Sequence, residues 1–379
     1  MDFELSEEHK MFREAIRNFA TKEIAPLVDE AETREKFPVQ LFPEMGKLGY
    51  LCPSYPVDYG GGNLGILGGC ICYEELGRIS VGICSSIMVQ GGLGTYMIYA
   101  HGNEEQKQRY LIPAIKGEKI AALALTEPNA GSDAAAIETR AVRNGNEYVL
   151  NGTKMFISGS TYADFIIVVA STDKSKGVKG VSLIILDTAT PGFHARKLDK
   201  FCLRSQETAE LTLDNCVVPD KNLIGEENRG FSYMMEGFDS GRVAHASRSL
   251  GLANAAFEAS LQYSQDRIQF EQPIAKFQAI SFKLARVAMQ IEAARWLTYY
   301  AAWLSDQGRR CTKEASMAKL FASEVAILAA DEAMQIHGGY AFMADSPIQR
   351  YYRDARIQTI GEGTSEIQQM IIARQLGIH

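Results

Sequence analysis

The sequence predicts an α+β protein built from an N-terminal helical domain, a central β-barrel domain and a C-terminal four-helix-bundle domain. Three observations carry this. Apolar residues recur at helical spacing up to about residue 118 and again from about 223. Between them lie short β-branched runs, notably 164–172 and 180–188, punctuated by turn residues. Helices and strands never alternate as they do in the βαβ units of a nucleotide-binding parallel sheet. The expected boundaries are 1–118, 119–222 and 223–379.

The elements follow in order. Ser6 can cap a first helix, with Glu7 and Glu8 favourable at its N-terminus and Phe12, Ile16, Phe19 and Ala20 at helical spacing. A second helix is expected after Pro38, and others over Tyr73–Gly77 and Glu104–Leu111. Asn144-Gly145 signals a hairpin leading into the strand 147–158. In the last segment Ile280, Leu284, Val287, Ile291 and Ala294 march down one helix face, and Ala315–Gln335 forms a second long helix.

Composition narrows the function. At 379 residues the chain is too long for one small core. A net charge of −7 disfavours nucleic acid as a partner, while leaving room for a few Arg and Lys to hold phosphates. No secretory signal and no run of about 18 apolar residues is visible, so no membrane span is expected. The seven cysteines are scattered and odd in number, which fits a reduced, cytoplasmic protein. Cys70 and Cys72 match no common ligand spacing, so no metal is expected.

Five segments carry candidate chemistry. In 360–377, Ser365 and Gln368 have capping-box spacing, with Ile367, Met370 and Ile371 as a buried face. Glu362 precedes that helix between Gly361 and Gly363; it is either a solvated loop carboxylate or one left open to a ligand. In 124–133 a strand runs into a loop, then a short Ala-rich helix that Ser132 or Asp133 caps; this is an ordinary turn or an anion site. Phe156, Ile157 and Ser158 alternate as a half-buried strand does, or cover a flat ring and bond its edge. Arg267 is a surface arginine or a phosphate fork. His337, before Gly338-Gly339, is a ligand contact or a structural histidine.

Taken together and in this order, LTEPNAGSD, FIS, GFDSGR, RIQFEQPIAKFQAI, QIHGGYAF, YYRDARI and GEGTSEIQ resemble the acyl-CoA dehydrogenase family over nearly the whole chain. The resemblance implies an FAD enzyme that desaturates an acyl-CoA thioester, with Glu362 taking the α-proton as hydride leaves the β-carbon. On that mapping Leu123, Leu125, Thr126, Ser132, Phe156, Ile157 and Ser158 line the flavin. Arg267, Gln269, Phe270 and Gln278 hold the pyrophosphate or adenine end of a neighbouring subunit's FAD. Gln335, Gly338, Gly339, Thr364 and Glu366 close round the rest of it. Phe238, Asp239 and Arg242 mark the CoA-binding helix, with Ser132 and Gly363 as further substrate contacts. A homotetramer and an electron-transferring flavoprotein as acceptor are implied as well.

Departures from the family pattern shape the substrate expectation. Gly241 stands where another branch carries its base, so Glu362 stands alone. Gly361 replaces a frequent aromatic, Phe156 a frequent Trp and Ser158 a frequent Thr. With the glycines of 88–97, Gly361 suggests a wide, uncharged pocket for a branched or alicyclic acyl group, such as a cyclohexane-carbonyl thioester. If side chains such as Tyr96 or Met97 refill that space, a short- or medium-chain linear substrate fits instead. The competing readings are a same-fold flavin oxidase or monooxygenase, disfavoured by length and by Glu362, and a non-enzymatic flavoprotein, which would have lost the base.

Overall fold

The computed structural model describes residues 4–378. It opens with α1 (Glu7–Phe19), capped by the Ser6 hydroxyl, which accepts the His9 amide at 3.3 Å. Then come α2 (Val28–Arg34), α3 (Leu41–Lys47), α4 (Gly65–Ile79), α5 (Val81–Gln90) and α6 (Leu93–His101). A short α7 (Glu104–Gln106) continues through a π-turn into α8 (Ile112–Ile115). Residues 81–101 form a stretch long and apolar enough to cross a membrane by length and composition alone. It is broken at Gly91-Gly92, and 78% of its most apolar window is buried inside the protein.

The middle segment is one curled seven-stranded sheet: β1 (Ala121–Ala124), β2 (Arg140–Asn144), β3 (Glu147–Ser158), β4 (Phe165–Ser171), β5 (Val181–Asp187), β6 (Phe193–Lys197) and β7 (Thr208–Pro219). The Asn144-Gly145 signal is the β2–β3 turn: Asn144 pairs with Glu147, and Gly145 has φ +62°. β4 is central, antiparallel to β5 (Phe165 opposite Asp187) and parallel to β1 (Ala121 opposite Phe165). Its continuous apolar run has a two-sided cause. Ile166, Val168 and Ala170 face the interior of the curl, whereas Phe165, Ile167 and Val169 join the core shared with the helices.

The sequence expectation fails just after β1. No Ala-rich helix follows Asp133, so Ser132 and Asp133 cap nothing. The Glu127 carboxylate takes the amides of Glu138 (2.6 Å) and Thr139 (3.0 Å), and the Thr139 carbonyl accepts the Ser171 amide at 2.8 Å. The backbone is satisfied at the sheet edge and needs no helix.

The C-terminal segment contains α9 (Gly230–Asp266), a two-residue hairpin of β8 (Ile268–Gln269) and β9 (Gln272–Pro273), α10 (Gln278–Asp306), α11 (Thr312–His337), α12 (Pro347–Arg356) and α13 (Ser365–Gln375). On α10, Leu284, Val287, Ile291 and Ala294 are buried as their spacing predicts, while Ile280, in the first turn, is only half-buried. α4 packs against α9 at backbone contact. A Cβ on Gly251 would lie 2.3 Å from the Glu74 carbonyl oxygen, and one on Gly77 would lie 2.7 Å from that of Arg248. Gly251→Ala must therefore push two helices apart. We expect it to lower the unfolding free energy by about 1–3 kcal/mol, the usual range for overpacking. Denaturant unfolding would show this, and an unchanged midpoint would mean that the crossing yields freely.

Candidate active site

α13 is capped by Thr364, whose hydroxyl accepts the Ile367 amide at 3.4 Å, and not by Ser365. Gln368 makes no capping box. Its amide donates to the carbonyls of Glu362 and Gly363, each at 3.1 Å. Ile367 and Ile371 are only half-buried and Met370 is exposed; the side chain α13 buries is Gln368. These bonds hold Glu362 in a left-handed conformation (φ +55°), unusual for a residue with a Cβ. Gly363, at φ +92°, allows the chain to turn into the helix. The strained turn aims the carboxylate into a cleft between α4, α6 and α9.

That cleft has a volume of about 110 Å³. Its walls are apolar or aromatic, including Tyr55, Tyr73, Met88, Leu93, Tyr96 and Tyr99. Glu362 is the one carboxylate among the lining residues. A Cβ on Gly241 would come within 3.3 Å of its Oε2 and 3.6 Å of Leu93 Cδ2, so Gly241 keeps open the space beside the acid. Burial pushes the Glu362 carboxyl above the usual carboxylate range, partly offset by Arg248, Lys319 and Arg242. Gly241→Val would wedge a branched side chain against the carboxylate and displace it. We expect turnover to fall at least about tenfold with the fold retained, since small misplacements are costly in catalysis. Steady-state kinetics beside a circular dichroism melt would check this.

The pocket is narrower than the glycine count suggests. A Cβ on Gly91 would meet the Leu51 carbonyl at 2.6 Å and the Tyr73 hydroxyl at 2.7 Å, and one on Gly92 the Met88 carbonyl at 2.9 Å. These glycines are consumed by close packing. Gly361 points at His245 Cε1, 3.5 Å from its absent Cβ, and does not line the cleft.

The two segments read as a flavin ledge are tied together. The Met155 amide donates to the Thr126 carbonyl at 2.8 Å. The fully buried Lys154 donates to the Leu125 carbonyl (3.0 Å), the Val169 carbonyl (2.7 Å) and Glu127 (2.8 Å). Burial drives the Lys154 ammonium down to about 8; it also opposes the Glu127 charge, but Lys154 and the two amides hold that carboxyl below its usual range. A bulge between Lys154 and Ile157 throws Phe156 outward at φ +62°, its ring 66% exposed. Leu123, Leu125, Thr126 and Ser158 are half-buried beside it, and Ser132 is exposed. Ile157, expected at the flavin, instead has its side chain in the barrel core, so only its backbone can face a ligand. An exposed ring on a strained bulge, with open space around Gly131, fits a broad flat group such as a flavin.

The remaining candidates form two groups. Arg242 donates to Asp239 at 2.6 Å, stacks over Phe238 and leaves its Nε buried without a partner. The Thr312 hydroxyl fixes the other Asp239 oxygen at 2.6 Å. Elsewhere Arg267 lies 5.8 Å over the Tyr340 ring, which joins its turn to that of Gly338 and Gly339. Gln269, Phe270, Gln278, Gln335, Gly338, Gly339 and Glu366 are all exposed. His337 is structural: its Nδ1 donates to the Ala333 carbonyl at 2.9 Å and its ring stacks on Tyr263. The sequence reading missed Glu127, Lys154, His245, Arg248, Lys319 and Gln358. Lys154 had a signal, since it falls on the inward register of β3 with Tyr148 and Leu150.

Comparison with known proteins joins these groups. Residues 6–118, 122–216 and 228–377 match the N-terminal, middle and C-terminal domain models of acyl-CoA dehydrogenase. A probable acyl-CoA dehydrogenase of Bacillus subtilis is 44% identical, covering 99% of this chain and 100% of the relative. The butyryl-CoA dehydrogenase of Megasphaera elsdenii superposes with a TM-score of 0.96 at 40% identity, covering 99% of this chain and 100% of the other. A chain solved in work on the electron transferring flavoprotein of Acidaminococcus fermentans superposes with a TM-score of 0.97 at 41% identity, covering 99% of each chain. The strained carboxylate at the end of an apolar cleft and the ring-presenting bulge thus lie on a scaffold matched over its whole length, and the chain belongs to the acyl-CoA dehydrogenase family of flavin-dependent oxidoreductases.

Proposed function

We propose that the protein desaturates a short-chain acyl-CoA at its α,β-bond with FAD as the flavin. The observation that carries this is Glu362, held in a left-handed turn as the one carboxylate of a small aromatic cleft. Its raised proton affinity suits removal of an α-proton beside a thioester. Gly363 and the backbone amide of Glu362 leave room for the thioester oxygen, whose developing charge needs a positioned donor. FAD, when bound, accepts the β-hydride. Phe156, Ser158, Leu123, Leu125, Thr126 and Ser132 hold its ring. The half-buried Arg267 and the exposed Gln269, Phe270, Gln278, Gln335, Gly338 and Gly339 serve the dinucleotide of a second copy, within a homotetramer. Phe238, Asp239 and the buried Arg242 seat the CoA moiety.

The volume of about 110 Å³ and the tyrosine walls favour a short acyl chain over the bulky one that the glycines suggested. The likeness to a butyryl-CoA dehydrogenase supports the same size. Electron-transferring flavoprotein is the proposed acceptor, supported by the likeness to a chain from that work. Seven free cysteines agree with a reducing cytoplasm.

Two measurements test this. Denaturation should release FAD rather than FMN. Catalytic efficiency should rank butyryl-CoA above octanoyl- and cyclohexane-carbonyl-CoA. Preferences should be graded, since each methylene of misfit is worth about 1–3 kcal/mol. Octanoyl-CoA ahead by a wide margin would overturn the short-chain assignment.

A further inference from the structure

Against the turn that carries Glu362 lies a buried polar cluster. Arg248, on α9, is only 5% exposed. Its guanidinium donates to the Gln358 side-chain oxygen (3.2 and 3.0 Å), to the Ser85 hydroxyl (2.6 Å) and to His245 Nδ1 (3.0 Å). All these partners are neutral, and it forms no ion pair among the described residues. A buried cation without a carboxylate is expensive, so its place calls for a cause.

The cluster also fixes a tautomer. The Gln358 carbonyl can only accept, so His245 Nε2, at 2.8 Å, carries the hydrogen. An arginine can only donate, so Nδ1 presents its lone pair to Arg248. His245 is therefore neutral, and burial together with Arg248 keeps it so. Gln358 is four residues before Glu362, and Gly361 packs against His245. The turn that presents the base is thus anchored on the cluster.

We propose that Arg248 is a positioning residue for the base: it supplies a positive charge that no ion pair takes up and, through Gln358 and His245, fixes the turn that aims the carboxylate. This rests on Glu362 being the base. A direct ion pair would occupy the carboxylate oxygens. A charge held on neutral partners opposes the desolvation of Glu362 and leaves those oxygens free for a proton. Lys319, fully buried on α11 and bonded to the Gly363 carbonyl at 2.7 Å, adds a second charge.

Arg242 also opposes the burial of Glu362, but its charge is shared with Asp239 in an ion pair; Glu366, on α13, is an exposed carboxylate. In the cleft walls Cys70, Tyr73 and Tyr96 are driven up by burial and stay neutral near pH 7, and Tyr99 completes the wall.

The test uses flavin-loaded tetramer. The pH midpoint of acyl-CoA-driven flavin reduction is measured for wild type, Arg248→Gln and Arg248→Lys. Alongside it, the infrared carboxyl band of Glu362 is titrated, assigned by its loss in Glu362→Gln. Arg248→Gln, which can still bond Ser85, should raise both midpoints by at least about one unit, a tenfold gain in proton affinity. Arg248→Lys keeps the charge and should stay within about 0.3 units of wild type. Folded, flavin-loaded Arg248→Gln with an unmoved carboxyl band would overturn the proposal. Should that variant not fold, Gln358→Glu gives Arg248 a carboxylate partner and must raise the midpoint too; an unmoved band there is equally fatal. A wild type whose flavin is not reduced by acyl-CoA would instead refute the assigned reaction, and the infrared titration would still decide the role of Arg248.

Discussion

Replacing Glu362 with Gln should leave the flavin and the acyl-CoA bound but slow flavin reduction by at least about 100-fold, the lower end of what a positioned general base contributes. The carboxamide has the size of the carboxylate and meets the same cleft walls, so the loss reports basicity rather than packing. The wild-type rate should also fall on acidification. Burial raises the Glu362 carboxyl, so its proton returns at a pH above the ordinary value of about 4.3 for glutamate, and the protonated acid cannot accept another. The Gln variant should lack that limb of the profile. Stopped-flow reduction across pH would measure both effects, and near-normal reduction in the variant would assign the proton to another residue.

The second large effect is expected at Lys154→Met. Lys154 has no exposed surface and spends its three donors on Glu127 and the Leu125 and Val169 carbonyls. Its removal leaves the buried Glu127 carboxylate without its cation and takes one donor from each of two carbonyls. Breaking a buried pair from one side costs about 3–5 kcal/mol. The cost falls where residues 125–127 meet the bulge that displays Phe156, so flavin content should drop together with stability. The double change Lys154→Met with Glu127→Gln removes the unpaired charge and should recover part of the stability. Flavin-to-protein ratio and denaturant midpoints for the single and double variants would show this, and a single variant with full flavin and a wild-type midpoint would contradict it.

The readability of this protein in its sequence follows the range of the forces involved. Periodicity is local, so the helices at 7–19, 278–306 and 312–337 and the hairpin at Asn144-Gly145 were legible. The run after Asp133 was not, because alanines favour a helix until a distant carboxylate, Glu127, takes the amides. The same holds for α13, where Thr364 and not Ser365 makes the cap because the turn at Gly363 places it there. Glycines on both sides of Glu362 marked it as a residue that a ligand could approach, but a solvated loop carboxylate fitted the same pattern, and the role proposed for it was implied only by the family resemblance. What surrounds it was not legible. Arg248 and His245, three apart on α9, lie 110 and 113 positions from Gln358, and no pattern along either element marks them as partners. The pocket size stayed open between two readings for a related reason. A glycine signals missing bulk, but only packing shows whether the space goes to a ligand or, as at Gly91, to a neighbouring tyrosine and carbonyl.

The most direct measurement is a single anaerobic turnover. Purified flavoprotein is mixed with butyryl-CoA while the flavin absorbance and the thioester products are followed together. The account predicts that the flavin bleaches and that one equivalent of the α,β-unsaturated thioester appears for each flavin reduced, with both signals slowed in parallel by Glu362→Gln. A flavin that stays oxidised against every short-chain thioester, or bleaching without an unsaturated product, would contradict it.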